Sequence, residues 1–172
     1  MATSFEFTQI GVARTPLLHR RDAPCQPELQ RSVEGTIMVH EPYWSCLEDI
    51  GGFSRIWLLY IFDRNQGWRA MVKPPRGGPK RGLFATRSPH RPSPIGMTSV
   101  ELMGVEKDRI FVKGLDLLDQ TPIVDIKPYL VFQDAHPDAK MGWVAEVGTE
   151  KLRNLDEEDE KGRRLREKRN RK

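Results

Sequence analysis

Two stretches of this sequence hold residue types that could do chemistry. The first runs from Lys73 to Gly96. It places Arg76, Lys80, Arg81, Arg87 and Arg91, with His90, among prolines and glycines. Pro89, Pro92 and Pro94 fix φ and stiffen the backbone. A stiff basic loop can hold guanidinium groups with little ordering entropy left to lose on binding. That suits a carboxylate, a phosphate or a nucleotide, which Arg grips in bidentate fashion. A solvated basic loop is the plain structural alternative. The glycines form no Walker loop, because Gly77 to Gly82 lacks the Gly-Lys-Ser/Thr ending. No G-x-G-x-x-G follows a strand, which removes a Rossmann nucleotide site.

The second stretch runs from Leu115 to Tyr129. On a strand, Asp125 and Lys127 share one face while Val124 and Ile126 take the other. The two charges could simply pair, or the carboxylate could accept a proton or bind an amine. Asp119-Gln120-Thr121-Pro122 reads as a turn between strands.

Elements that would position these residues are mostly strands. Alternation over Phe5–Val12 reads as a half-buried strand. Further strands are expected over Val33–Val39, Phe53–Phe62 (continuously apolar, so buried on both faces), Arg69–Lys73, 95–105, 109–114 and Ile123–Val131. Glu41–Asp49 is a short helix candidate stopped by Gly51-Gly52. Residues 14–31 and 74–94 read as long loops of a kind that is often functional. The pattern predicts a mainly all-β fold, a small β-barrel with short helices and long loops. A barrel domain over residues 1–148 and a charged tail over 149–172 divide the chain.

Charge is unevenly spread. The chain of 172 residues has 28 Lys/Arg and 24 Asp/Glu, a net charge of +4. Residues 150–172 hold ten of those bases and seven of those acids, so the basicity belongs mostly to the tail. The tail reads either as a solvated segment or as an electrostatic arm for nucleic acid. With 38% hydrophobic residues the chain can bury a core. Its longest apolar run, Ile56–Phe62, is far too short to span a bilayer. Met1–Glu6 does not look like a signal peptide, and Cys25 and Cys46 form no C-x-x-C pair, which fits a reducing cytoplasm. His19, His40, His90 and His136 lack metal-ligand spacing, so no metal is expected. Trp44, Trp57, Trp68 and Trp143 read as core or interface anchors before base platforms.

The string Phe84-Ala-Thr-Arg-Ser-Pro-His-Arg-Pro-Ser-Pro-Ile-Gly96, with Asp116-Leu-Leu-Asp-Gln-Thr-Pro-Ile-Val-Asp-Ile-Lys-Pro-Tyr129, resembles the TsaA-like domain of the TrmO (YaeB) family. Phe53–Tyr60 and Ile10-Gly11-Val12 resemble it too, and the likeness spans roughly residues 5–145. It implies a small β-barrel, S-adenosyl-L-methionine as methyl donor, a homodimer, and methylation of N6 of a threonylcarbamoyl-modified adenosine beside the tRNA anticodon. Donor-binding positions carried over are Pro24, Cys25, Gln26, Asp63, Arg64, Arg87, Met97, Asp119, Gln120, Thr121 and Pro122. Cys25 stands where the family has Arg, Asp63-Arg64 where it often has His-Gln, Gln120 where it has Gly, and Ser93 where Asn is common. A backbone with φ > 0 at residue 120 would strain a glutamine. Candidates to hold or deprotonate the amine are Asp125 and Asp119, with Lys127 placing the carboxylate. His90, Arg91, Arg76, Lys80 and Arg81 are candidate RNA contacts. Alternatives are a non-catalytic S-adenosylmethionine- or nucleic-acid-binding module of the same fold, and a small-molecule methyltransferase.

Overall fold

The computed structural model describes residues 4–19, 33–74 and 78–147. Strands β1 (Gly11–Arg14), β2 (Glu34–Val39), β3 (Arg55–Ile61), β6 (Ile95–Glu106), β7 (Arg109–Lys113) and β8 (Pro122–Pro128) close a barrel in the order β1-β2-β7-β6-β3-β8. Every pairing is antiparallel. A small hairpin, β4 (Met71–Val72) and β5 (Arg81–Gly82), stands on the connection between β3 and β6.

Period-two alternation fills the barrel. Ile56, Leu58 and Tyr60 point inward from β3, and Val100, Ile110, Val112, Ile37 and Ile123 meet them. The outward residues of β3, among them Trp57 and Leu59, are half-buried. The expected two-faced burial of Phe53–Phe62 is therefore corrected, because a single closed sheet has only one interior.

Other boundaries shift for similar reasons. The first strand is Gly11–Arg14, not Phe5–Val12, since only there do β2 and β8 offer partners; Phe5 and Phe7 are exposed. Glu41–Leu47 is a 3-10 helix, with Pro42 in its first turn. The strand expected over Arg69–Lys73 shrinks to two residues. The last strand ends at Pro128, and Val131–Asp134 forms a short helix, α1. A second, α2, spans Trp143–Val147. No helix among the described residues is long and apolar enough to cross a membrane. The charged tail lies outside the described residues.

Antiparallel order has one consequence for function. The connections β1–β2, β3–β6 and β7–β8 leave the same end of the barrel. These three segments carry the candidate residues before β8 apart from Met97, which lies on β6.

Candidate active site

The turn before β8 is the best anchored part of that end. Asp119 Oδ1 accepts from the Thr15 backbone N–H at 3.1 Å, and its Oδ2 accepts from Gln120 Nε2 at 3.2 Å. Arg14 lies 3.7 Å from the same carboxylate. Arg64, from the loop after β3, donates to the Asp119 carbonyl and lies 3.7 Å from Asp63. The fold thus gathers Asp63, Arg64, Asp119, Gln120, Thr121 and Pro122. Partial burial raises the Asp119 pKa. The Gln120 amide, the Thr15 N–H, Arg14 and the Gln120 N–H outweigh it and hold the carboxyl below its ordinary value. Such a group is a weak proton acceptor near neutrality, and its bonds suit an anchor.

Gln120 has φ +66°, the left-handed conformation that favours glycine. Gln120→Gly should therefore stabilise the fold by about 1 kcal/mol in urea melts. Lower stability would mean that the amide bond to Asp119 outweighs the backbone strain.

Asp125 and Lys127 lie on the outer face of β8, opposite Leu59 and Trp57 of β3. Lys127 Nζ is 2.7 Å from Asp125 Oδ2, so the two charges pair. Leu59 also faces Met97 of β6, which is 52% exposed, so Asp125, Leu59 and Met97 form one row across three strands.

The basic loop separates into free and engaged cations. Arg87 is exposed and forms no hydrogen bond or ion pair among the described residues. Arg91 braces the loop by donating to the carbonyls of Thr86 and Ser88, and stacks over Phe84. Arg81 pairs with Glu146 at 3.3 Å and lies over the Trp143 ring. Trp143 Nε1 donates to the Ala85 carbonyl, tying α2 to this loop. His90 Nδ1 is 3.3 Å from the Gln66 carbonyl oxygen. Lys80 is exposed. Pro24, Cys25, Gln26 and Arg76 lie outside the described residues.

One buried polar cluster escaped the site residues drawn from sequence. Tyr60 and Thr98 point inward from adjacent strands, and Asp116 reaches them from the β7–β8 connection. Its sequence signal is a carboxylate inside the apolar run Leu115–Leu118. Burial pushes the Asp116 carboxyl up to about 6, against the Thr98 hydroxyl, its own backbone N–H and the Arg87 charge. Burial, then the Asp116 charge, also pushes the Tyr60 hydroxyl upward, against Arg87. Between roughly pH 4 and 6 the folded state holds a proton on Asp116 that the unfolded chain has lost. The stability this group contributes falls across that window as pH rises. Asp116→Asn should remove the fall and raise stability at neutral pH by about 2–3 kcal/mol. Thermal melts across the window check it; an unchanged melting temperature at neutral pH would contradict it.

An exposed guanidinium, a buried carboxylate within its electrostatic reach and a braced polar turn stand on the connections that leave one end of the barrel. The closed antiparallel barrel agrees with what the comparisons find. Residues 12–135 match the model of the tRNA-methyltransferase O N-terminal domain, and the chain belongs to that family. It is 44% identical over 151 residues to the tRNA (adenine(37)-N6)-methyltransferase of Escherichia coli K12, an alignment covering 82% of this chain and 64% of that protein. A probable S-adenosyl-L-methionine-binding protein of Pyrococcus abyssi is 36% identical over 138 residues, covering 80% and 75%. The crystal structure of TrmO from Pseudomonas aeruginosa superposes with a TM-score of 0.71 at 34% identity, covering 84% of this chain and 63% of that one. The chain therefore spans just under two thirds of the Escherichia coli relative's length.

Proposed function

We propose that this chain transfers a methyl group from S-adenosyl-L-methionine to N6 of a threonylcarbamoyl-modified adenosine beside the tRNA anticodon. The observation that carries this reading is Arg87, an exposed guanidinium without a bonded partner among the described residues, at the loop end of a barrel of this family. The names of the relatives support it.

When bound, the donor supplies a methyl group already activated on a sulfonium, so the chain's task is positioning and desolvation. Arg87 grips the donor carboxylate. Met97 offers apolar contact, while Asp63, Arg64 and the turn Asp119–Pro122 supply polar backbone and side-chain groups. Pro24, Cys25 and Gln26 complete the donor site from the first loop. Asp125 holds the target amine and takes its proton after transfer, with Lys127 holding the carboxylate in place. Asp119 anchors the turn. Lys80, Arg76 and His90 meet the RNA, and Arg91 and Arg81 shape the loop that presents them. The active form is a homodimer working in the cytoplasm, where the exposed Val131 and Phe132 of α1 are available for a subunit contact.

Calorimetric titration with S-adenosylmethionine and S-adenosylhomocysteine, followed by methyl transfer to tRNA with and without the threonylcarbamoyl group, tests this reading. Binding of both ligands with transfer to the modified tRNA is expected. Binding without transfer would leave a non-catalytic module, and no binding would reject the donor site.

The tail is a separate unit in this reading, an arm for RNA phosphates. Lys161–Lys172 holds eight bases and one acid. Deleting residues 161–172 should weaken tRNA binding and flatten its salt dependence while leaving donor affinity intact. Unchanged tRNA affinity would reduce the tail to a solvated segment.

A further inference from the structure

We propose that Asp116 receives the α-ammonium group of the methyl donor, while Arg87 holds the carboxylate of the same amino-acid end. The assignment rests on the donor reading above and names a residue outside the donor set drawn from the sequence. Its starting point is a pair of orphaned acceptors. Asp116 Oδ1 and Thr98 Oγ1 are both buried without a hydrogen-bond partner among the described residues. The Thr98 hydroxyl favours the charged carboxylate from close by, though outside hydrogen-bond geometry. A buried acceptor left unmatched is costly, so a native structure keeps it for a reason.

The carboxylate has little freedom to swing away. Leu115 and Leu117 on either side are buried in the core. The backbone around them is pinned: Gly114 N–H donates to the Val33 carbonyl, Thr15 Oγ1 to that of Leu117, and Asp119 N–H to that of Leu17. The Tyr60 ring is pressed onto Gly96, opposite it in the sheet.

The chemistry of a group that would match these two acceptors follows from charge. A neutral donor would satisfy one lone pair but leave a buried anion uncompensated. A metal is a poor match, because no group of three His, Cys, Asp or Glu gathers among the described residues. Arg87 is near enough to act on the carboxylate electrostatically yet forms no ion pair with it. An ammonium brings a positive charge and three N–H donors, two of which match Asp116 Oδ1 and Thr98 Oγ1. A zwitterionic α-amino acid end satisfies Asp116 and Arg87 together. A nucleoside without that end satisfies neither.

Calorimetry with S-adenosylhomocysteine and its desamino analogue, in which hydrogen replaces the amino group, tests the assignment. Neither ligand carries the sulfonium charge, so the amino group is the difference read. The wild type should bind the desamino analogue about ten-fold or more weakly than S-adenosylhomocysteine. Asp116→Asn should lose most of that affinity for S-adenosylhomocysteine and most of the preference between the two ligands. Thr98→Val should reduce the preference in part. A wild-type preference retained by Asp116→Asn would overturn the assignment, as would equal binding of the two ligands by the wild type, a result independent of any variant's folding. Binding of neither ligand by the wild type would instead remove the donor reading itself, and this assignment with it.

Discussion

Arg87→Ala should bind S-adenosylmethionine about ten- to a hundred-fold more weakly than the wild type. The guanidinium is exposed and makes no hydrogen bond or ion pair among the described residues, so nothing in the fold depends on its geometry. What it supplies is charge at the loop end, where it already acts on Asp116 and Tyr60. Removing it leaves the donor carboxylate without its cationic partner. A hydrogen bond to a charged group is worth about 1.5–3 kcal/mol, which sets the expected loss. Arg87→Lys should recover part of it, since an ammonium restores the charge but not the two-pronged grip. The thermal melt of Arg87→Ala should stay within about 0.5 kcal/mol of the wild type. Wild-type affinity in this variant would remove Arg87 from the donor site.

The largest expected effect on stability comes from Gly96→Ala. A Cβ at residue 96 would sit 2.2 Å from Tyr60 Cε2 and 2.3 Å from Cζ. Tyr60 is 4% exposed and packs edge-on against Phe62 at 5.1 Å, so its ring has no open side to move into. Overpacking of this kind costs about 3 kcal/mol, corresponding to a melting temperature about 10 °C lower in a domain of this size. The clash is with ring carbons, so Tyr60→Phe should not relieve it, whereas Tyr60→Leu should. Gly96→Ala combined with Tyr60→Leu is thus expected to be less destabilised than the two changes added. A melting temperature for Gly96→Ala within a degree or so of the wild type would show that the ring shifts freely.

Some of this was legible in the residues themselves. Alternation of period two put Asp125 beside Lys127 on one face of a strand, and this holds in the barrel. The conditional warning at Gln120 also stands, since its φ is positive. These are local properties, set by backbone geometry over a few neighbouring residues. The first strand was displaced because Phe5–Val12 alternates as well as Gly11–Arg14 does. Which segment pairs depends on β2 and β8, not on the alternation. Arg81 resembled a free RNA contact until Trp143 and Glu146, distant in the chain, came to lie against it. Asp116 drew no role from the sequence, because burial beside Thr98 and Tyr60 exists only once strands far apart in sequence have paired. Residue types and short spacings by themselves determined the strand-rich fold class, the basic loop and the family resemblance. Only the tertiary structure decided how charges distant in the chain pair and which carboxylate is taken out of water, because desolvation and long-range ion pairing depend on distances that sequence separation does not encode.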